Sequence, residues 1–224
     1  ITDVAGVEEL GAVFRGEHTE IGTYVEAALT SELQGNLIDL CPVGALTSKP
    51  YAFTARPWEL RHTETIDVHD AVGSNVRVDT RGRQVMRVLP LLNEDINEEW
   101  ISDKTRFACD GLAKRRLDAV YVKQEGKLQQ SDWDTGFDAI RDRLDGVDGS
   151  KIAAIAGDLA CAESMTALKD LMTALGSANI DCRQDGAKIG TGARGGYLFN
   201  TTIAGIENAD FCLLVGTDPR HEAS

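Results

Sequence analysis

The spacing of apolar positions changes twice along the chain, near residue 56 and again near residue 113. Before the first change the sequence is rich in Gly and turn formers. It holds two apolar segments, Ile21 to Leu33 and Gly35 to Leu40, the second leading into Cys41-Pro42. This predicts a small, irregular unit. Short strand-like runs follow at Leu60 to Val68, Asn75 to Thr80 and Gln84 to Pro90, with Arg81-Gly82-Arg83 as the turn between the last two. They predict a compact antiparallel sheet. Asn93 to Trp100 is polar and acidic, and Ser102 is placed to cap a short helix that begins at Asp103.

Beyond Arg115-Arg116 the period lengthens, and Trp133, Phe137, Ile140 and Leu144 fall on one face of an amphipathic helix. An apolar strand is expected at Lys151 to Ala156, a helix from about Cys161 to Leu175, and a further strand at Asp210 to Val215. That alternation predicts a parallel α/β domain. The fold class is therefore α+β followed by α/β, without internal repeats, low-complexity tracts or heptads.

The 224 residues suit one large domain or two smaller ones, and 42% apolar content is ample for a core. With 36 acids against 23 bases the net charge is -13, which excludes nucleic acid and anionic lipid as natural partners. The longest apolar stretches, such as Ile152 to Ala156 and Phe211 to Val215, fall far short of the ~20 residues of a spanning helix, so no direct membrane insertion is expected. The sequence opens on Ile1 without an initiator Met or leader, and a strand-like run at Ala209 to Val215 lies close to Ser224. Both features predict an internal piece of a longer protein.

Five cysteines, an odd number with no CxxC pair, argue against a disulfide framework and for a reducing compartment. Cys161 and Cys212 lie in apolar elements and are expected to be small core residues, while Cys109 and Cys182 have no companion at ligand spacing. Cys41 differs because Pro42 follows it, in the string Gly35-Asn36-Leu37-Ile38-Asp39-Leu40-Cys41-Pro42-Val43-Gly44-Ala45-Leu46. A thiolate followed by Pro is how the last ligand of a [4Fe-4S] site is often presented. Pro42 turns the chain away, and the amides of Val43, Gly44 and Ala45 stay free to point at sulfur. On its own the dipeptide is weak evidence, and a buried Cys before a turn is the commoner reading of it.

The wider sequence is more specific. Gly22-Thr23-Tyr24-Val25-Glu26, Ser31 to Asn36, the run from Cys41 through Lys49-Pro50-Tyr51 to Trp58-Glu59, and Asp95 to Phe107 closely resemble the large iron-sulfur subunit of respiratory complex I, the proton-pumping NADH:quinone oxidoreductase. The resemblance spans essentially the whole chain. It implies three domains: residues 1–55 as the end of a ferredoxin-like [4Fe-4S] domain, 56–112 as a molybdopterin-enzyme-type cluster domain, and 113–224 as the start of a molybdopterin-oxidoreductase-like α/β domain. Cys41 would then be one ligand of a [4Fe-4S] cluster, its other ligands in a CxxCxxC run before Ile1. A [2Fe-2S] and a second [4Fe-4S] centre are expected further upstream. The resemblance also implies electron relay from NADH towards quinone, with other peripheral-arm subunits as partners, including the flavin-bearing, NADH-binding one. It implies a peripheral place on the cytoplasmic face of a bacterial inner membrane or the mitochondrial matrix side.

Related domains that open molybdopterin enzymes hold a cluster with Cys-x2-Cys-x3-Cys-x27-Cys spacing, and aligning Gly73 with the Gly before its third Cys puts Asp67, Asp70, Ser74 and Ser102 at the four ligand positions. Oxygen donors match such a cluster poorly, so none is expected there, and no molybdopterin either. Cys109, seven residues beyond the fourth position, is no substitute. Gly190-Thr191-Gly192-Ala193-Arg194-Gly195 matches GxGxxG by spelling only, without the strand and helix of a dinucleotide site. His18, His62, His69 and His221 sit at no metal-ligand spacing and read as solvated or packed side chains. The carboxylates Glu94, Asp95, Glu98, Glu99, Asp142 and Asp145 read as solvated faces or subunit contacts. No catalytic residue is assigned. Two other readings stay open: a molybdopterin-dependent oxidoreductase, against which the missing thiols count, and a redox-silent scaffold over residues 56–224.

Overall fold

The computed structural model describes residues 1–23, 28–182, 190, 192–198 and 200–224. The chain divides into two compact units, Ile1–Lys114 with Asn200–Ser224, and Arg115–Phe199. In the first, helix α1 (Thr2–Ala5) ends on Gly6 and is followed by an antiparallel hairpin, β1 (Leu10–Val13) with β2 (Glu20–Thr23). The sequence pattern did not suggest this hairpin, because Leu10-Gly11-Ala12-Val13 and Glu20-Ile21-Gly22-Thr23 carry no clean alternation. The single-turn helix α2 (Asn36–Leu40) follows.

Strands β3 (Arg61–Ile66), β4 (Asn75–Arg81) and β5 (Gln84–Pro90) form the expected antiparallel sheet in the order β3-β4-β5. Gly82, at φ +62, sits in the two-residue turn between β4 and β5, where a left-handed residue matches the twist of the strands. Inward positions of β4 and β5 place Val76 and Val88 against Ile101, with Val78, Val85 and Cys109 packed around them. Helix α3 (Asp103–Phe107) closes this core, and Ser102 caps it as expected, its Oγ accepting the Thr105 N–H at 3.2 Å.

The second unit opens with a hairpin of β6 (Val120–Gln124) and β7 (Lys127–Ser131), also absent from the sequence pattern, turned by Glu125 and Gly126 at φ +49 and +82. Helix α4 (Trp133–Leu144) matches the expected amphipathic helix, with Asp132 as its cap at 2.8 Å. It packs close to β6 at Gly136, where a Cβ would stand 2.7 Å from Val120 Cγ1. Strand β8 (Ala154–Ile155), helix α5 (Ala162–Ala174) and strand β9 (Ile180–Asp181) make one parallel βαβ unit. The expected strand at Lys151 to Ala156 shrinks to two residues, since Gly149–Lys151 winds into a short 3-10 turn. A last helix, α6 (Pro219–Glu222), belongs to the first unit, where Arg220 pairs with Glu32 at 2.9 Å.

Two expectations are corrected. Asp210 to Val215 is not a strand, and Phe211, Leu213, Leu214 and Val215 are largely exposed. Apolar composition signals a parallel strand only where a neighbour completes its ladder, and among the described residues none pairs with this segment. Cys161 and Cys212 are exposed rather than core residues. Cys161 occupies the position before α5, its Sγ 3.1 Å from Ser164 Oγ, and Cys212 lies on the unpaired segment. Of the GxGxxG string, Thr191 lies outside the described residues, as does the preceding Asp185 to Lys188; the turn at Arg194–Gly196 follows where a nucleotide site needs a helix.

Candidate metal centre

Cys41 stands at the C-terminal end of α2, its N–H donating to the Leu37 carbonyl at 3.1 Å. Pro42 cannot continue the helix, and Gly44, at φ +69, supplies the left-handed residue that curls the loop back over the sulfur. The Leu46 N–H reaches Cys41 Sγ at 3.5 Å. Amides of Leu46 first, then Val43, with Ala45 and Gly44 adding less, hold the thiol below its ordinary pKa. Hydrogen bonding to the charged form favours thiolate, the state that binds a metal. A soft thiolate under several amide donors fits an iron-sulfur ligand position. Among the described residues no three His, Cys, Asp or Glu side chains are grouped so as to hold a metal ion.

Helix α2 is docked on α3 by buried polar contacts that the sequence pattern did not reveal. The Asn36 amide donates to the Leu33 and Ile101 carbonyls at 2.9 Å each, while its Oδ1 accepts from the Ile101 N–H at 3.1 Å and from Arg106 at 2.9 Å. Arg106 also pairs with Asp39 at 2.7 Å. Gly35 donates its N–H to Asp103 Oδ1 at 2.7 Å, and a Cβ there would meet that oxygen at 2.6 Å and Arg106 Nε at 2.7 Å. Burial pushes the Asp103 carboxyl up, with the Gly35 N–H opposing it.

The four positions inferred from the second cluster spacing converge at the β3–β4 loop and the start of α3. Asp67, Ser74 and Ser102 are buried, the Asp70 side chain is 1% exposed, and Gly73 takes φ +68. Thr105, which the sequence pattern did not single out, links them: its hydroxyl donates to Asp67 Oδ2 at 2.8 Å and lies 3.0 Å from Ser102 Oγ. His69 Nδ1 pairs with the other Asp67 oxygen, and Lys104 Nζ lies 3.3 Å from Asp70 Oδ2. Hard oxygen donors, with Asp67 and Ser102 joined through Thr105 and Asp70 beside Lys104, do not fit an iron-sulfur cluster.

A third cluster was equally invisible in the sequence. Asp79, fully buried in β4, is met by His62 at 2.7 Å, Arg77 at 3.0 Å and Arg87 at 2.7 Å. Burial alone pushes its carboxyl up, but hydrogen bonds from Arg87, His62 and Arg77 outweigh it and hold the pKa below the usual range. Arg87 in turn lies 4.7 Å over the Tyr51 ring, tying the loop beyond Cys41 to the sheet. The carboxylates Glu94, Asp95, Glu98, Glu99, Asp142 and Asp145 are all exposed, as expected.

Three family models match the chain in succession. Residues 1–47 match the NADH-quinone oxidoreductase subunit 3 ferredoxin-like domain, residues 60–110 the NADH-ubiquinone oxidoreductase NDSU1/NuoG-like 4Fe-4S domain, and residues 116–224 the molybdopterin oxidoreductase family. The chain is 55% identical over 222 residues to a subunit of the NADH-quinone oxidoreductase of Rickettsia conorii, covering 99% of this chain and 33% of that protein. It is 56% identical over 228 residues to the mitochondrial NADH-ubiquinone oxidoreductase 78 kDa subunit of Candida albicans, covering 100% of this chain and 32% of the relative. It is 55% identical over 224 residues to the mitochondrial NADH dehydrogenase [ubiquinone] iron-sulfur protein 1 of Solanum tuberosum, covering 100% and 30%. The chain thus spans about a third of the length of the curated relatives it matches. With identity above half sustained from end to end, and two successive complex I domain models matched around Cys41 and the β3-β4-β5 sheet, the chain belongs to the family of large iron-sulfur subunits of complex I.

Proposed function

We propose that the chain is the part of an electron-relaying iron-sulfur subunit in which Cys41 ligates a [4Fe-4S] cluster, on the path from NADH, oxidised on a flavin-bearing partner, towards quinone. The observation that carries this reading is the amide cradle of Val43 to Leu46 around the Cys41 sulfur. When bound, the cluster supplies one-electron, outer-sphere transfer. Cys41 contributes the thiolate; the amides of residues 43–46 spread its charge and raise the reduction potential; Pro42 keeps a competing N–H out of the loop. No acid or base is required of this chain. We assign residues 1–55 to the ferredoxin-like domain, 56–112 to a domain that has lost its cluster ligands, and 113–224 to a molybdopterin-oxidoreductase-like domain without molybdopterin.

The partners on this reading are the other peripheral-arm subunits of complex I, and the location is the cytoplasmic face of a bacterial inner membrane or the matrix side of a mitochondrial one. Among the described residues no helix is long and apolar enough to cross a membrane. Reconstituting the full-length protein and its Cys41→Ala variant with iron and sulfide tests the assignment, with less bound iron expected in the variant. Stoichiometric molybdenum in the purified full-length protein would instead favour a molybdopterin enzyme.

A further inference from the structure

The site that lost its thiols and the helix that carries Cys41 meet on α3. Thr105 reaches Asp67 and Ser102 on one side, and the next residue, Arg106, reaches Asn36 and Asp39 on the other. Asn36 and Cys41 bracket the single turn of α2, so whatever fixes Asn36 and Asp39 fixes the sulfur. The Arg106 side chain is only 5% exposed, and its Nε has no hydrogen-bond partner. A buried cation with an unsatisfied donor is costly, and it is kept here facing the ligand helix. Gly35 leaves no room between the two helices for that contact to slide.

We infer that Arg106 is a positioning residue for Cys41. From the domain without a cluster, its guanidinium sets the tilt of α2, and with it the place of the sulfur and of the amides of residues 43–46. The hydrogen bonds among Asp67, Thr105 and Ser102 anchor α3 where thiolates and iron would otherwise cross-link it. The inference rests on Cys41 being a ligand.

The test compares reduced-state paramagnetic spectra and redox titrations of the assembled complex carrying wild type, Arg106→Gln, Arg106→Lys, Asp39→Asn or Cys41→Ser. Arg106→Gln is expected to shift the g-values and midpoint potential of one signal, the same one that Cys41→Ser alters, and to leave the other clusters unchanged. Arg106→Lys, which keeps the positive charge, shows a smaller shift than Arg106→Gln. Asp39→Asn, whose side chain is partly solvated and tolerates the change, moves the same signal less and decides the matter alone if Arg106→Gln does not assemble. Wild-type g-values and potential in both Arg106→Gln and Asp39→Asn overturn the inference, as does an equal shift of every cluster. No change in Cys41→Ser removes the ligand assignment itself.

Discussion

The Thr105 hydroxyl donates to Asp67 Oδ2 at 2.8 Å, both residues buried, where the second cluster spacing would put iron. One short polar side chain thus links the β3–β4 loop to α3. Removing it strands a buried carboxylate oxygen, so Thr105→Val is expected to destabilise the chain by about 1–3 kcal/mol, and Thr105→Ser by much less. Denaturant unfolding of the two variants checks this; equal midpoints for Thr105→Val and wild type would contradict it.

Asp67, Ser74 and Ser102 are all buried in the first unit, the Thr105 hydroxyl joins Asp67 to Ser102, and Gly73 takes a left-handed turn. Combining Asp67→Cys, Asp70→Cys, Ser74→Cys and Ser102→Cys in the full-length protein should therefore let it take up one additional cluster on reconstitution. The measurement is iron per protein and visible absorbance beside wild type. Unaltered iron content would show that the oxygen-lined site can no longer admit a cluster.

How much of this was legible in the sequence depended on whether local pattern or tertiary context decided. Gln84 to Pro90, Ser102 as a cap and the helix after Asp132 all follow from local chemistry, and the structure agrees within a residue or so. Of the residues picked out by the second cluster spacing, Asp67 lies beside Ser74 through its backbone N–H and beside Ser102 through Thr105. The partners of those residues were not legible, because Thr105, Arg106 and Asn36 meet only once α2, α3 and the sheet are packed. Asp210 to Val215 shows the opposite failure: its apolar run looked like a strand, yet pairing needs a neighbour that no local pattern can announce.

Asp79 sets an acid limit on stability. Its carboxyl titrates below the usual range in the folded chain, so folding favours the ionised form. That contribution is fully present above the unfolded pKa of about 3.9 and fades as pH falls through the lower folded value. Asp79→Asn should cost about 2–4 kcal/mol at neutral pH, leaving Arg77 and Arg87 facing each other, and the gap to wild type should narrow in acid. Unfolding curves measured at several pH values decide; a pH-independent difference contradicts the account.

Cys41 and Cys109 should part company on alkylation. Amides lower the first thiol, whereas burial, with Asp110 adding to it, raises the second. As pH increases, iodoacetamide should label Cys41 well before Cys109, read out by peptide mass spectrometry on the metal-free chain. The reverse order would mean that residues 43–46 do not stabilise a thiolate.

The most direct measurement is the reduced-state paramagnetic spectrum of the assembled complex carrying Cys41→Ala in the full-length subunit. With Cys41 as a ligand, one [4Fe-4S] signal is lost or grossly altered, iron content falls, and the remaining cluster signals persist. A spectrum and iron content identical to wild type would contradict the assignment of Cys41.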